Sequence, residues 1–314
     1  MHLTNICVLG GTGFVGSCLV NALHDAGKRV RVLTRRRERH KALLVLPKVE
    51  VVECDIHDPQ VLAAQFREMD AVINLVAILN ERGPKGEEFR HVHVELTKKV
   101  VQACLDCGVR RLLHMSALHA DAGRGTSLYL RSKGEAENHA HTFAGNRLAV
   151  TSFRPSVIFG PGDGLFRRFA ALLRISPILP LACPNARFAP VYVGDVVAVM
   201  CNALEDDGTI DQHFDLCGPE VFTLREIVAY TAQVIGRHRL IIGLPDWLSR
   251  AQAAVLERLP GKLFTRDNYD SMQTDSVCDK APAQPTRVST VVPGYLARGS
   301  RDDLYQSWRR TANR

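Results

Sequence analysis

Cys7-Val8-Leu9-Gly10-Gly11-Thr12-Gly13-Phe14-Val15-Gly16 decides how this chain is read. The apolar run Asn5–Leu9 before it has the look of a strand, and the pattern over 14–26 that of an amphipathic helix. Gly10, Gly13 and Gly16 satisfy G-x-x-G-x-x-G, and Gly11, Gly13 and Gly16 also satisfy G-x-G-x-x-G. Between a strand and a helix, such glycines permit a tight turn and let the backbone approach a pyrophosphate. The helix N-terminus adds free N–H groups and a partial positive charge. Gly10, Gly11, Thr12, Gly13, Phe14, Val15 and Gly16 are therefore the expected phosphate-binding residues. A phosphate loop of the ATPase kind would end in Gly-Lys-Ser/Thr, whereas Gly16 is followed by Ser17-Cys18. A flavin nucleotide and a turn that is merely tight remain as alternatives.

Outward from this turn, short apolar runs alternate with helical patterns. The predicted strands are Asn5–Leu9, Arg29–Thr34, Val49–Cys54, Ala71–Val76, Arg111–Met115 and Val150–Arg154. Helical patterns fall near 14–26, 59–67, 87–107 and 127–143. Right-handed crossovers would wind them into an α/β fold, a doubly wound parallel Rossmann sheet with its ligand site at the carboxyl ends of the strands. After about residue 155, Pro155, Pro161, Pro177, Pro180, Pro184 and Pro190 break the rhythm. The expectation is a dinucleotide-binding core over 1–160, which elements near 191–245 partly rejoin. A smaller, irregular, interleaved substrate lobe would occupy 161–314. Within it, Trp247–Leu259 reads as an amphipathic helix, and the Pro-, Ser- and Arg-rich stretch from about Ala281 reads as a surface arm or a partly disordered segment.

At the end of the second strand, an NAD site would place Asp or Glu to bind the ribose 2′-hydroxyl. Here stand Arg35, Arg36, Arg37 and Arg39. An arginine fork suits a 2′-phosphate, so NADP(H) is favoured over NAD(H), with Arg35 and then Arg36 as its contacts. Asp55, just past the third strand, is placed either to accept from an adenine amino group or simply to form a turn.

A third signal joins Ser116, at the end of the fifth strand, to Tyr129-Leu130-Arg131-Ser132-Lys133. Tyr129 and Lys133 are four apart and share one helix face. An ammonium beside a phenol favours the phenolate and so makes the tyrosine a general acid/base. Ser116 would hold the substrate oxygen.

The glycine turn, the strand-end serine and Y-x-x-x-K together resemble the short-chain dehydrogenase/reductase superfamily. Arg154-Pro155-Ser156-Val157-Ile158-Phe159-Gly160-Pro161-Gly162 and Val191-Tyr192-Val193-Gly194-Asp195-Val196 resemble its extended branch, which includes sugar-nucleotide epimerases and dehydratases. The likeness covers residues 1 to about 240. Phe89-Arg90-His91-Val92-His93-Val94-Glu95, His114-Met115-Ser116-Ala117-Leu118 and Thr265-Arg266-Asp267-Asn268 are most similar to the atypical members that include an NADPH-holding accessory subunit of respiratory complex I. The resemblance implies that Ser116, Tyr129 and Lys133 are catalytic, that Lys133 also holds the nicotinamide ribose, and that Pro155 lies by the cofactor. Extended enzymes usually carry Asn where this chain has His93, a departure that weakens the sugar-nucleotide reading.

Composition bounds the rest. A net charge of +7 could suit nucleic acid, but outside the arginine cluster the basic residues are scattered, so no nucleic-acid partner is expected. Nine cysteines in a chain too long to need staples read as reduced thiols. Cys104 and Cys107 form one isolated C-x-x-C, and His91/His93 and His139/His141 are each two apart on helices, so no metal site is read from them. No signal-peptide pattern precedes the first strand, and no apolar run reaches the roughly 18–20 residues of a spanning helix. A cytoplasmic protein is expected, or one peripheral on the inner membrane surface. The leading functional expectation is hydride transfer to or from a carbonyl or alcohol of a small molecule, or of a membrane-linked quinone or lipid. A non-catalytic NADPH-binding accessory or assembly protein docked on a protein partner, and a sugar-nucleotide epimerase or dehydratase, are the alternatives.

Overall fold

Strands buried on both faces make the centre of the first half of the chain. In the computed structural model, which describes residues 3–81, 83, 85–259, 262–279 and 283–297, seven strands join one sheet. They are β1 (Asn5–Leu9), β2 (Arg29–Thr34), β3 (Val49–Glu53), β4 (Ala71–Asn74), β5 (Arg111–Met115), β6 (Ala149–Pro155) and β7 (His213–Leu216). Their order is β7-β6-β5-β4-β1-β2-β3. β1 pairs in parallel with β2 on one side, Leu9 opposite Leu33, and with β4 on the other, Leu9 opposite Asn74. The strand order therefore reverses beside β1, at the carboxyl end where the glycine turn leaves the sheet. All residues of β4 and β5 are buried, as their near-continuous apolar runs require.

The longer helices of this part are α1 (Phe14–Asp25), α2 (Pro59–Phe66), α3 (Leu96–Cys107), α4 (Leu128–Ala144) and α5 (Val193–Glu205). Asp58 starts α2 by accepting from the Gln60 N–H, with Pro59 in the first turn. Ser127 starts α4 by accepting from the Leu130 N–H. β4 stops at Asn74, short of the expected Val76, because the Asn74 Oδ1 takes the Val76 N–H and turns the chain out of the sheet. The helix expected over 87–107 is not uniform: a π-helical turn, Arg90–Glu95, interrupts it before α3.

The chain divides into two compact units, the first made of 1–155 and 196–215, the second of 156–195 and the described residues from 216 onward. The second has its own core, in which Phe159, Phe166, Leu173, Leu224, Val228 and Val292 are buried. Two corrections fall there. The stretch read as an arm contains a helix, Val288–Leu296, whose Val288, Val292, Tyr295 and Leu296 are buried in that core; residues 298–314 lie outside the described residues. The cysteines are also not all reduced thiols, since Cys217 and Cys278 form a disulfide that closes a 61-residue separation. The remaining seven, Cys104 and Cys107 included, are unpaired. Among the described residues no helix is long and apolar enough to cross a membrane.

One charged side chain holds the far edge of the sheet. Arg111 heads β5 yet is 2% exposed, and its Nη2 donates towards Thr151 Oγ1 (2.7 Å), Thr209 Oγ1 (2.6 Å) and the Ala203 carbonyl (2.9 Å). It thereby links β5, β6, the end of α5 and the turn before β7. Replacing Arg111 by Ala removes the donor that these three groups share, and urea unfolding should show a loss of about 1–3 kcal/mol. A loss below about 1 kcal/mol would mean that the guanidinium is not part of the fold's support.

Candidate functional site

The glycine turn has the shape its sequence anticipates. Gly10 adopts φ +76°, a left-handed conformation, and its carbonyl accepts the Gly13 N–H at 3.0 Å. A Cβ on Gly16 would stand 2.2 Å from the Gly10 oxygen, so only glycine lets α1 come this close to the end of β1. Gly13 caps α1 without any side-chain hydrogen bond, and no acidic residue lies in the first turn. Backbone donors at Phe14, Val15 and Gly16 are thus offered outward, next to Thr12, in a cradle that could hold a diphosphate.

Arg35 and Arg36 follow β2 directly, and both side chains are exposed. The Arg36 N–H donates to Thr34 Oγ1, and the Arg37 N–H to Glu53, which fixes the backbone of the cluster against β3. Arg35 looks across to the segment after β3: burial and the stacked His91 ring push His57 below its usual range, and Arg35 adds to that shift. Asp55 accepts the His57 N–H at 2.9 Å, the turn-forming contact that was one of its two readings.

Ser116 leaves β5 at the same end of the sheet. It is 3% exposed, and its hydroxyl lies against the buried Glu137 carboxylate, which it helps to hold below the usual range. Lys133, on the buried side of α4, donates to the Met115 carbonyl at 2.5 Å, one residue before Ser116. Burial pushes its ammonium down to about 8, with the Glu137 carboxylate opposing the shift. Tyr129, one turn earlier, is half-buried, and its ring stands edge-on to His93 (5.6 Å) and Phe89 (6.0 Å). Pro155 closes β6 and accepts the Leu118 N–H at 3.1 Å. The structure therefore brings Ser116, Tyr129 and Lys133 around the end of β5, and the glycines and Arg35 around the ends of β1 and β2.

His93 replaces the expected Asn and occupies its place in a different way. The π-helical turn points it inward at 1% exposure. Its Nε2 accepts the Ile78 N–H at 3.1 Å. Ser132 Oγ donates to the Tyr129 carbonyl, so the His93 Nδ1–H must be the donor in the 2.8 Å contact with Ser132 Oγ. Both ring nitrogens are then satisfied in the neutral form. Burial, reinforced by Lys133, pushes the imidazole down to about 2, and it stays uncharged.

Sequence reading missed the groups beneath Lys133. Glu137, 1% exposed, accepts from Arg154 Nε (2.8 Å) and Nη2 (2.7 Å); burial pushes its carboxyl up, but Arg154, the Ser116 hydroxyl and His213 together hold it below the usual range. His114, on β5, is 2% exposed with neither ring nitrogen hydrogen-bonded, and burial drives it well down. The i,i+4 spacing of Lys133 and Glu137 was visible, but nothing local said that both are buried.

Residues 6–217 match the sequence profile of the NAD dependent epimerase/dehydratase family. The chain is 27% identical over 276 residues to the mitochondrial NADH-ubiquinone oxidoreductase 40 kDa subunit of Neurospora crassa, spanning 87% of this chain and 71% of that one. It is 31% identical over 247 residues to a ceramide reductase of Caulobacter vibrioides, across 77% of this chain and 74% of the relative. Among solved structures, the UDP-glucuronic acid 4-epimerase of Bacillus cereus, in complex with UDP-glucuronic acid and NAD, superposes with a TM-score of 0.69 at 18% identity, covering 86% and 99% of the two chains.

The buried neutral histidines set an acid limit. His93 and His114 take up protons at the ordinary value of 6.5 only once the chain unfolds, because their folded values are depressed. Their contribution is whole above that pH and is lost as pH falls, by up to about 1.4 kcal/mol per pH unit for each histidine. Thermal unfolding followed from about pH 7 to pH 5 should show this slope, and His114→Leu should reduce it by about one proton. An unchanged slope in that variant would show that His114 is accessible to protons in the folded state.

Proposed function

The chain belongs to the NAD dependent epimerase/dehydratase family, whose members bind a nicotinamide cofactor, and we propose that it is an NADP(H)-dependent oxidoreductase acting on a carbonyl or alcohol of a lipid- or quinone-like molecule. The observation that carries the reading is Lys133. An ammonium this deeply buried is expensive to maintain, and its position one turn below Tyr129 gives it a use: it stabilises the phenolate, which a merely structural cofactor site has no need for.

With the dinucleotide held through its pyrophosphate at the glycine turn, its nicotinamide would supply or accept the hydride. In the reducing direction the Tyr129 phenol donates its proton to the carbonyl oxygen as the carbon takes the hydride, and Lys133 holds the resulting phenolate. Ser116, just past the end of β5, holds the substrate oxygen. Lys133 also reaches the nicotinamide ribose, and Pro155 borders the nicotinamide. Gly10, Gly11, Thr12, Gly13, Phe14, Val15 and Gly16 take the pyrophosphate. Arg35 and Arg36 take the 2′-phosphate, which supports NADP(H) over NAD(H), and Asp55 borders the adenine. The lobe after residue 160 selects the substrate. The ceramide reductase relative supports a lipid-like substrate, and the neutral His93 in place of Asn argues against sugar-nucleotide chemistry. The relative named as a respiratory-chain subunit supports a second reading, an accessory protein that only holds the nucleotide.

The deciding experiment is to purify the protein without added nucleotide, identify what it carries by mass spectrometry, and time its exchange with labelled NADPH. Rapid exchange with a preference for NADPH supports turnover; NADPH that scarcely exchanges supports the accessory reading; bound NADH or FAD refutes the role given to Arg35. Arg35→Ala should remove the preference for NADPH over NADH by about tenfold or more. On a substrate found by screening carbonyls and quinones, Tyr129→Phe should lower kcat by about 10²–10⁴ while NADPH still binds.

A further inference from the structure

Beneath the proposed catalytic pair, two side chains of one helix meet a third from far along the chain. Glu137 and His141 are one turn apart on α4, on a single helix face, and His213 is the first residue of β7 at the sheet edge. One donor atom from each lies within 4.8 Å of the other two. The His213 Nδ1 already touches Glu137 Oε1, and the His141 and His213 rings stand 4.2 Å apart, tilted by 32°. His139, the neighbour paired with His141 in the sequence, stacks instead on Phe143 and takes no part.

We propose that Glu137, His141 and His213 form a binding site for a divalent transition-metal ion of the zinc class. Two imidazole nitrogens and one carboxylate oxygen, with water completing a tetrahedron, are a donor set that zinc accepts and that magnesium and calcium do not favour. The carboxylate is set for this role: Glu137 is 1% exposed, its Oε1 is shared between Arg154 and His213, and the Ser116 hydroxyl also donates to it, so it is held ionised among the two imidazoles. The way in is open, because the His213 side chain is 37% exposed at the end of the cluster. Arg154 sets the strength: its guanidinium neutralises part of the carboxylate charge, so the site is a reversible one rather than a permanent structural zinc.

The consequence is mechanical. α4 carries Tyr129 and Lys133 on the turns just before Glu137, so a metal held here fastens that helix to the edge strand β7. This inference does not rest on the proposed reaction; the site would bind metal whether or not the chain turns over a substrate.

The test is cobalt(II) titration of the purified full-length protein after dialysis against a chelator. Cobalt bound to nitrogen and oxygen gives visible ligand-field bands, and a thiolate ligand adds a charge-transfer band in the near ultraviolet. The expected result is one cobalt per chain without the thiolate band, displaced by zinc. Binding should be lost in His213→Gln, a surface replacement whose melting temperature without metal should match that of the parent, and in His141→Gln. Zinc should raise the melting temperature of the parent and leave that of His213→Gln unchanged. Cys107→Ser, which alters the half-buried member of the C-x-x-C, should bind cobalt normally. No stoichiometric binding, binding that survives His213→Gln, or a thiolate band lost with Cys107→Ser would each overturn the proposal.

Discussion

Keeping a positive charge on Lys133 without water around it is the demand from which much of the first unit's interior follows. The ammonium has the Met115 carbonyl for a hydrogen bond and the Glu137 carboxylate as its counter-charge. Glu137 is itself buried, and needs Arg154 from β6. A chain of alternating charges thus runs from α4 into the sheet, and its members are worth more together than apart because each removes the penalty of burying the next. The histidines around it complete the same logic. Burial holds His93 and His114 neutral and the nearby Lys133 charge adds to the shift, so neither imidazole becomes a further cation there.

The parts of this architecture that were legible in the sequence are those encoded within one turn or one strand. The glycine pattern specifies its own backbone, and Gly16 meets the Gly10 carbonyl because both lie within seven residues. Tyr129, Lys133 and the boundaries of β1, β2 and β5 are legible for the same reason: periodicity is local. What was not legible depends on remote partners. Arg111 looks like a surface residue heading a strand until Thr151, Ala203 and Thr209 come from far along the chain to meet it. Cys217 and Cys278 are drawn together across 61 positions. In Val288–Leu296 the apolar spacing was present, but Pro293 and Gly294 inside it disguised a helix as an arm.

His93 belongs to both categories. The sequence showed that it stands where relatives carry Asn, but not what it does there, because a π-helical turn has the same composition as an α-helix. The hydrogen bonds explain the exchange: one ring nitrogen receives the Ile78 amide and the other donates to Ser132, so the imidazole bridges the segment after β4 to α4.

That wound-out turn also fixes the phase of everything upstream of it. A regular helix advances about 100° per residue, so a single residue more or less in Arg90–Glu95 would rotate His93 and Phe89 about the helix axis by that angle relative to α3. The imidazole would then face away from both of its partners while every side chain in the segment kept its identity. At this point in the fold the number of residues in the turn carries as much information as their kind, and a comparison of relatives that scores substitutions alone would pass over it.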